Sequence, residues 1–358
     1  MNCHRTVFPF FILGSRFPGF PVSLLPGFPV SLLPGFPVLL ALLMSTPLAA
    51  QDHVILQTEG ASSRVTLPCQ IVDYTGERIT VQFKSGPNQK SYPAEHVVEV
   101  RTAWLESHEL GRKLLAERKL DEATRAFQAA LVSENRAWVR REILASLIRC
   151  SLRTGDRASA GVRFLQLLES DRTTRQFGLI PLVWAAESVS GAAKGQAREW
   201  LKQEADVPRL LGASVLLNDV TNGDTAAQEL QALQRSGDER VRTLAQAQSW
   251  RLKLRAFEIG DLELNRWDNR VSEMPASLRG GPSYLLGRGW AMRREHDRAA
   301  TAFLWTALMD DSDARLSARA GVEAAESLKR LGQPDDARRL LQEIATRFPD
   351  TEFGEAAK

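Results

Sequence analysis

The sequence has few of the residues from which catalytic and metal sites are built. Only five of its 358 residues are histidines. The four beyond residue 50, His53, His96, His108 and His296, have no partner at metal-ligand or proton-relay spacing. The HExxH, GxSxG and glycine-rich phosphate-loop motifs are absent. We therefore expect no enzymatic activity, no cofactor, no metal and no small-molecule substrate.

An excess of charge of one sign is also missing. The chain has 46 lysines and arginines against 43 acidic residues, a net charge of +3. Residues 1–51 contribute two arginines and no acid, so the rest of the chain carries only +1. This balance gives no global attraction to nucleic acid or to an anionic membrane surface. We therefore expect no nucleic-acid partner.

Cysteine is too scarce for a disulfide framework. Cys3 lies near the start, and only Cys69 and Cys150 remain in the body of the chain. Both stand in apolar stretches, which favours buried free thiols over a disulfide bond.

What the first fifty residues do contain is a repeated unit of eight residues. Pro-Gly-Phe-Pro-Val-Ser-Leu-Leu begins at Pro18, again at Pro26 and in part at Pro34. Two prolines in each unit exclude a helical repeat and argue against a stable transmembrane helix over 18–44. The unit therefore does not predict a structural repeat.

The end of this region is typical of a signal peptide. The apolar run VLLALLM over 38–44 is followed by TPLAA and a polar chain. We therefore predict a signal peptide over 1–50, cleaved after Ala50, and a periplasmic or secreted protein. Two alternatives stay open: a membrane anchor through 18–44, and a start at Met44 that leaves the protein in the cytosol.

Residues 53–102 predict a small β module. They form runs rich in Val, Ile and Thr with turn residues between them. Ile79, Val81 and Phe83 alternate with polar residues, as in a strand with one buried face. We expect four or five short strands in an SH3-like barrel that packs on the first helix.

The aromatic residues around this module have two interpretations. Tyr74, Phe83 and Tyr92 would form a binding patch or the core, and in so small a domain the core is favoured. Trp104 and Leu105 are expected at the junction between the barrel and the helices.

From Ala103 onward the apolar residues follow a helical period, and four segments share one spacing. In two of them a glycine is followed by alanine twelve residues later and by phenylalanine sixteen residues later. These are Gly111, Ala123 and Phe127, and Gly287, Ala299 and Phe303. Two partial copies place glycine five residues before the alanine and nine before a large apolar residue: Gly155, Ala160 and Phe164, and Gly332, Ala337 and Leu341.

This spacing resembles the tetratricopeptide repeat, and Pro349 stands where that family has its terminal proline. The resemblance implies a mainly α protein, an α-solenoid of antiparallel helix pairs behind the β module. Repeats 1 and 2 would occupy 103–171 and repeats 3 and 4 would occupy 281–358. Residues 172–280 depart from the spacing, and we interpret them as degenerate helical repeats.

Within that middle region the segments 180–205 and 207–234 are predicted to be helix pairs. Two other stretches have simple structural interpretations. The glycines of 280–289 are expected in a turn before a repeat, and the acidic cluster of 309–315 is expected to cap a helix.

The resemblance also implies a binding groove. In the family, the position after the repeat glycine lines a concave groove, and here it holds Arg112, Arg149 and Arg288, with Glu326 in the last repeat. His108 and Tyr284 occupy a neighbouring groove position. Guanidinium groups along such a wall would bind carboxylates. The alternative is that arginine is simply a good helix former on any hydrated face.

Taken together, these patterns predict an exported, non-catalytic scaffold at the cell envelope. It would bind a protein or peptide partner, preferably an acidic one, in the helical groove. The alternative is a cell-wall or glycan-binding accessory protein that acts through the β module.

Overall fold

The computed structural model describes residues 52–57, 63–84, 86, 88–310 and 312–357. The predicted leader, with its cleavage, anchor and start-site alternatives, lies outside these residues. Within them the fold is mainly α, as predicted, with fourteen helices in tandem and one five-stranded antiparallel sheet. No described helix is long and apolar enough to span a bilayer.

The sheet is formed by the predicted β module. Its strands are β1 Asp52–Leu56, β2 Val65–Tyr74, β3 Arg78–Gln82, β4 Gln89–Pro93 and β5 Val97–Arg101. The spatial order is β4-β3-β2-β1-β5. Strands β1 to β4 form a meander, and β5 returns to pair with the free edge of β1. Tyr74 is buried, and Phe83 and Tyr92 pack against the buried cluster, so their assignment to the core is confirmed.

The helices follow one another from residue 106 to residue 356. They are α1 Glu106–Ala116, α2 Leu120–Ser133, α3 Ala137–Thr154, α4 Arg157–Ser170, α5 Gly191–Leu201, α6 Asp206–Leu216, α7 Gly223–Leu233, α8 Glu239–Ala256, α9 Asp261–Glu273, α10 Gly280–Met292, α11 His296–Met309, α12 Ala314–Arg330, α13 Pro334–Arg347 and α14 Glu352–Ala356. Consecutive helices pack mainly on each other, as expected of tandem hairpins.

The glycine–phenylalanine spacing corresponds to a direct contact between paired helices. A Cβ atom added to Gly111 on α1 would lie 2.7 Å from the ring of Phe127 on α2. The same atom on Gly287 would lie 2.6 Å from the ring of Phe303 on α11. Each glycine therefore provides the space in which the aromatic ring of the partner helix packs.

Four helical hairpins, including the two just described, have a turn that contains one residue with positive φ. The values are 62° at Arg118, 78° at Gly155, 66° at Arg294 and 77° at Gly332. Each of the four stands five residues before a buried alanine of the second helix. We call α1–α2, α3–α4, α10–α11 and α12–α13 the framed hairpins, because they share this turn.

The middle region differs from its prediction. Residues 180–205 were expected to be helical, but helix begins only at Gly191. Pro181 lacks an N–H group and disfavours helical geometry at the residue before it. The N–H of Val183 donates to Ser214 Oγ at 2.8 Å, and its carbonyl accepts from Gln248 Nε2 at 3.1 Å. Side chains of α6 and α8 thus replace the helical hydrogen bonds. The prediction for 207–234 is confirmed by α6 and α7.

This segment, together with the 3₁₀ turn Phe177–Leu179 before it, fills the interior of the helical array. Its apolar side chains are buried: Phe177, Leu179, Ile180, Leu182, Val183 and Trp184. It lies against α3, α6, α8, α10 and α12, and Arg319 of α12 donates to the carbonyl of Ala186 at 2.8 Å. Burial of one large apolar side chain contributes about 1.5–3 kcal/mol, so six contribute on the order of 10 kcal/mol. We call residues 177–189 the inner segment; it is part of the core.

The prediction of a turn over 280–289 was wrong, because these residues are helical and pack against the inner segment. Gly280 and Gly281 form the first turn of α10, which continues to Met292. A side chain at Gly281 would overlap the indole of Trp184. The glycines are therefore needed for close approach rather than for a turn. The predicted cap is confirmed for Asp313, whose Oδ1 accepts from the N–H groups of Arg315 and Leu316 at 3.1 Å.

The last hairpin returns to the first two. Arg118, in the turn after α1, donates to the carbonyls of Thr346 and Arg347 at 3.0 Å each, at the end of α13. Arg153 of α3 lies 3.3 Å from a carboxylate oxygen of Asp350. A cation at a helix C-terminus also interacts favourably with the helix dipole. These contacts join the two ends of the helical array.

The sheet packs on the helices through α3. Arg141, buried on α3, donates to the carbonyl of Tyr74 at 3.0 Å and pairs with Asp73. The N–H of Gly76 donates to Asp171 Oδ2 at 2.9 Å. Trp104 contacts Trp138 of α3 edge to face, with ring centroids 5.8 Å apart. Trp104 is therefore at the junction, as predicted.

Both described cysteines are buried and unpaired, which confirms the prediction. Burial raises the pKa of Cys69 to about 11 and also raises the pKa of Cys150. Neither thiol is activated as a nucleophile.

Candidate functional site

One surface brings together three of the five sequence-predicted site residues. His108 and Arg112 lie one turn apart on α1, and Arg149 lies on the neighbouring α3. We call this surface the α1–α3 face; it is formed by Trp104, His108, Arg112, Trp138, Glu142, Ser146, Arg149 and Arg153. It has a cleft of about 290 Å³ beside β5 and a pocket of about 230 Å³ beside α12 and α13.

His108 is a buried polar side chain of the cleft. Only 3% of its surface is exposed, and its ring packs edge to face on Trp104 at 4.7 Å and on Phe127 at 5.8 Å. Burial, together with the nearby charge of Arg112, lowers the pKa of His108 to about 4. The imidazole is therefore neutral at pH 7, and its Nδ1 has no hydrogen-bond partner in the part of the chain that the structure describes.

Trp138 also lines the cleft and has an unsatisfied polar atom. The residue is 2% exposed, and no described residue accepts a hydrogen bond from its indole Nε1. A buried indole N–H normally finds an acceptor, and a buried polar group left alone costs about 1–3 kcal/mol. Nδ1 of His108 and Nε1 of Trp138 are both enclosed by the protein, so they lower the stability of this region and do not face a ligand.

The charges in the cleft are only partly compensated. Arg175 donates to Glu142 at 2.6 Å and to the hydroxyl of Tyr74 at 2.7 Å. Arg112 has no carboxylate partner among the described residues; its guanidinium group lies 5.7 Å from the ring centroid of Trp104. Arg112 thus remains available for an anion.

The pocket beside α12 and α13, at the other end of the α1–α3 face, also contains an arginine without a carboxylate partner among the described residues. Arg149 donates only to the amide oxygen of Gln176, at 3.3 Å, and Arg347 donates to the carbonyls of Ala307 and Leu308 at 3.2 Å. Arg153 is paired with Asp350. The α1–α3 face therefore carries at each end a guanidinium group, Arg112 or Arg149, that no described carboxylate pairs with.

The remaining two predicted residues lie elsewhere. On α10, the hydroxyl of Tyr284 donates to Glu323 at 2.7 Å, and Arg288 pairs with the same carboxylate at 3.0 Å. Tyr284 is buried, and burial and Glu323 raise its pKa. Arg288 therefore has a carboxylate partner within the chain, which it shares with Arg319. Glu326 pairs with Arg330 on the exposed side of α12.

Sequence reasoning missed several residues of the site. Trp138, Glu142 and Ser146 follow one another at four-residue steps along α3, a periodic signal that was available. Arg175 and Gln176 were not predictable, because they come from the loop between α4 and α5 and reach α3 only through the tertiary fold.

No family model and no curated protein matches this chain.

Proposed function

We propose that the protein is a non-catalytic binding scaffold whose α1–α3 face holds an acidic segment of a partner protein. The observation that carries the proposal is the pair of arginines without carboxylate partners, Arg112 and Arg149, at the two ends of one face. Guanidinium groups bind carboxylates in bidentate geometry, so each of these arginines would hold one acidic side chain of the partner.

The tetratricopeptide resemblance is part of this proposal. It is supported by the four turns with positive φ and by the contacts of Gly111 with Phe127 and of Gly287 with Phe303. The SH3-like interpretation of the sheet is supported by its strand order and by the short 3₁₀ turn between β4 and β5. Such scaffolds use the first helices of their pairs to bind peptides, and α1 and α3 are first helices.

We also propose that the protein works outside the cytoplasm, in the periplasm or as a secreted protein. The support is the sequence of residues 1–50, with its apolar run and small-residue cleavage site. The partner would then belong to the cell envelope.

A specific observation also favours the alternative, glycan binding through the β module. Tyr74 and Val97 to Val100 of the sheet line the same cleft as Trp104, whose indole is half-buried. Indole rings present apolar faces to sugars, and neutral glycans would bind without a charge requirement. The two functions therefore differ in their dependence on Arg112.

The test compares an acidic peptide with a glycan. We expect hexaglutamate to bind the purified protein in calorimetry, more weakly at high salt. The double variant R112Q/R149Q should lose at least tenfold in affinity. The matched variants R125Q, an exposed arginine of α2, and R288Q, at an arginine that pairs with Glu323, should bind as the wild type does.

Binding of chitotetraose that is unaffected by R112Q/R149Q would support the glycan alternative. Hexaglutamate binding that falls equally in R125Q would reduce the interaction to a general charge effect and contradict the proposed site.

A further inference from the structure

A second concave surface lies on the middle helices, away from the α1–α3 face. It is a groove of about 810 Å³ between α7 and α9, with α8 beneath them. Its size is within the range of about 300–1,000 Å³ that is usual for ligand sites. We call it the glutamine groove, after the carboxamides that line it: Gln228, Gln231, Gln234, Gln246 and Asn269.

These carboxamides are not used by the chain itself. Their neighbours in the groove are described, and none of the five side-chain amides has a hydrogen bond to any described residue. Each amide carries a donor group and an acceptor oxygen in one plane. A peptide group presents the complementary pair, so a row of carboxamides matches the main chain of an extended polypeptide without reading its side chains.

The floor of the groove decides against a sugar. Trp250 of α8 and Trp267 of α9 stack face to face, with centroids 4.4 Å apart and planes 6° from parallel. Each is only 4% exposed. A sugar needs an open aromatic face, and these two rings cover each other. The stacked rings form a narrow apolar floor between the polar walls of α7 and α9. This shape can hold the main chain of a polypeptide.

The charges of the groove are mixed. Lys253 and Glu263 pair with each other, while Arg266, Arg270 and Glu273 on α9 have no ion-pair partner among the described residues. The groove therefore does not require an acidic ligand, in contrast to the α1–α3 face.

We infer that the glutamine groove binds an extended segment of a partner polypeptide, held by its main chain. Helix α7 has 11 residues and is about 16 Å long at about 1.5 Å per residue. An extended chain advances about 3.3 Å per residue, so the groove holds about five residues. This site is additional to the α1–α3 face and does not depend on the proposed function of that face.

A displayed library of random heptapeptides tests this inference on the purified protein. After selection, affinities of synthetic peptides are measured for the wild type, Q228A/Q231A and R112Q/R149Q. The control Q128A replaces an exposed glutamine of α2. Gln228 and Gln231 are exposed, so their replacement leaves the core unchanged.

We expect a class of selected peptides that loses at least tenfold in affinity for Q228A/Q231A but not for Q128A or R112Q/R149Q. N-methylation of their central peptide groups should cause a similar loss, whereas side-chain replacement should matter less. If every selected peptide binds Q228A/Q231A as tightly as wild type, the inference is overturned. Peptides that depend only on Arg112 and Arg149 would support the α1–α3 face and equally overturn the glutamine groove.

Discussion

The framed hairpins and the middle region of this protein bury their cores by different means. In two of the framed hairpins, α1–α2 and α10–α11, a glycine faces a phenylalanine at the same spacing, and in α12–α13 Gly321 faces Ile344. In residues 172–279 the core is built around the inner segment, which has no repeated spacing. A packing contact that is repeated leaves a regular spacing in the sequence, whereas a tertiary arrangement that is not repeated leaves none.

The middle region relies on a buried polar network between α6 and α8. Ser214 Oγ donates to Gln248 Oε1 at 3.0 Å, and Arg251 donates to the same oxygen at 2.7 Å and to the carbonyl of Ser214 at 2.8 Å. Burial lowers the pKa of Arg251 to about 10, so it stays charged at pH 7. These groups hold the backbone of Val183 and fix the inner segment in one position.

The largest expected effect tests whether the inner segment is core. Trp184→Ala should lower the free energy of unfolding by about 3–5 kcal/mol, because it leaves a cavity beside Gly281. Urea denaturation measures this change. The control Phe257→Ala, at a ring that is 79% exposed, should change it by less than about 0.5 kcal/mol. Equal effects of the two substitutions would make the inner segment peripheral.

The next largest change in stability is expected at the contact between Gly287 and Phe303. Gly287→Ala places a methyl group against the ring of Phe303 and should cost about 1–3 kcal/mol in unfolding free energy. Gly195→Ala on α5, where the nearest atom is 3.9 Å away, should instead stabilise by about 0.5–1 kcal/mol. If both variants are stabilised, the contact between glycine and phenylalanine does not limit packing.

A pH effect on the order of 1 kcal/mol is expected from His108. Its pKa is lowered to about 4, so below pH 6.5 the unfolded chain binds a proton that the folded chain does not. The stability present above pH 6.5 is therefore lost as the pH falls from 6.5 to 4. His108→Gln should reduce this loss in urea midpoints measured across that window. An unchanged pH profile would contradict the burial of a neutral imidazole.

The smallest effect concerns the hairpin turns. Arg294 has φ 66° where the equivalent position in two other turns is glycine. Arg294→Gly should stabilise the protein by about 0.5–1 kcal/mol, because glycine adopts this conformation without steric cost. The reverse change, Gly332→Ala, should destabilise by a similar amount in the same denaturation assay. A loss of stability in Arg294→Gly would mean that this turn is unstrained.

Most of the fold could be predicted because it is periodic. The strands are predicted by the alternation of apolar and polar residues. The framed hairpins are predicted by the spacing of residues such as Gly111 and Phe127. The segment 180–190 was misassigned because its apolar residues also fit a helix, and only Pro181 argued otherwise. What decides its structure is Ser214 and Gln248, which are distant in sequence.

The site was predicted in part for the same reason. His108, Arg112 and Arg149 share a face because they follow helical positions within two adjacent pairs. Arg288 was assigned to the same groove by its place in the repeat, but it pairs with Glu323. A compensating charge on another helix has no periodic signature.

The central claim is that the inner segment permanently occupies the interior, so that a partner binds the α1–α3 face from outside. Hydrogen exchange of the Val183 amide, which donates to Ser214 Oγ, tests this most directly. We predict that it exchanges as slowly as the amide of Leu147 in α3, with the free energy of global unfolding, and that hexaglutamate does not accelerate it. Fast exchange of Val183 through local opening, or its acceleration by the peptide, would contradict the account and make the interior a binding groove.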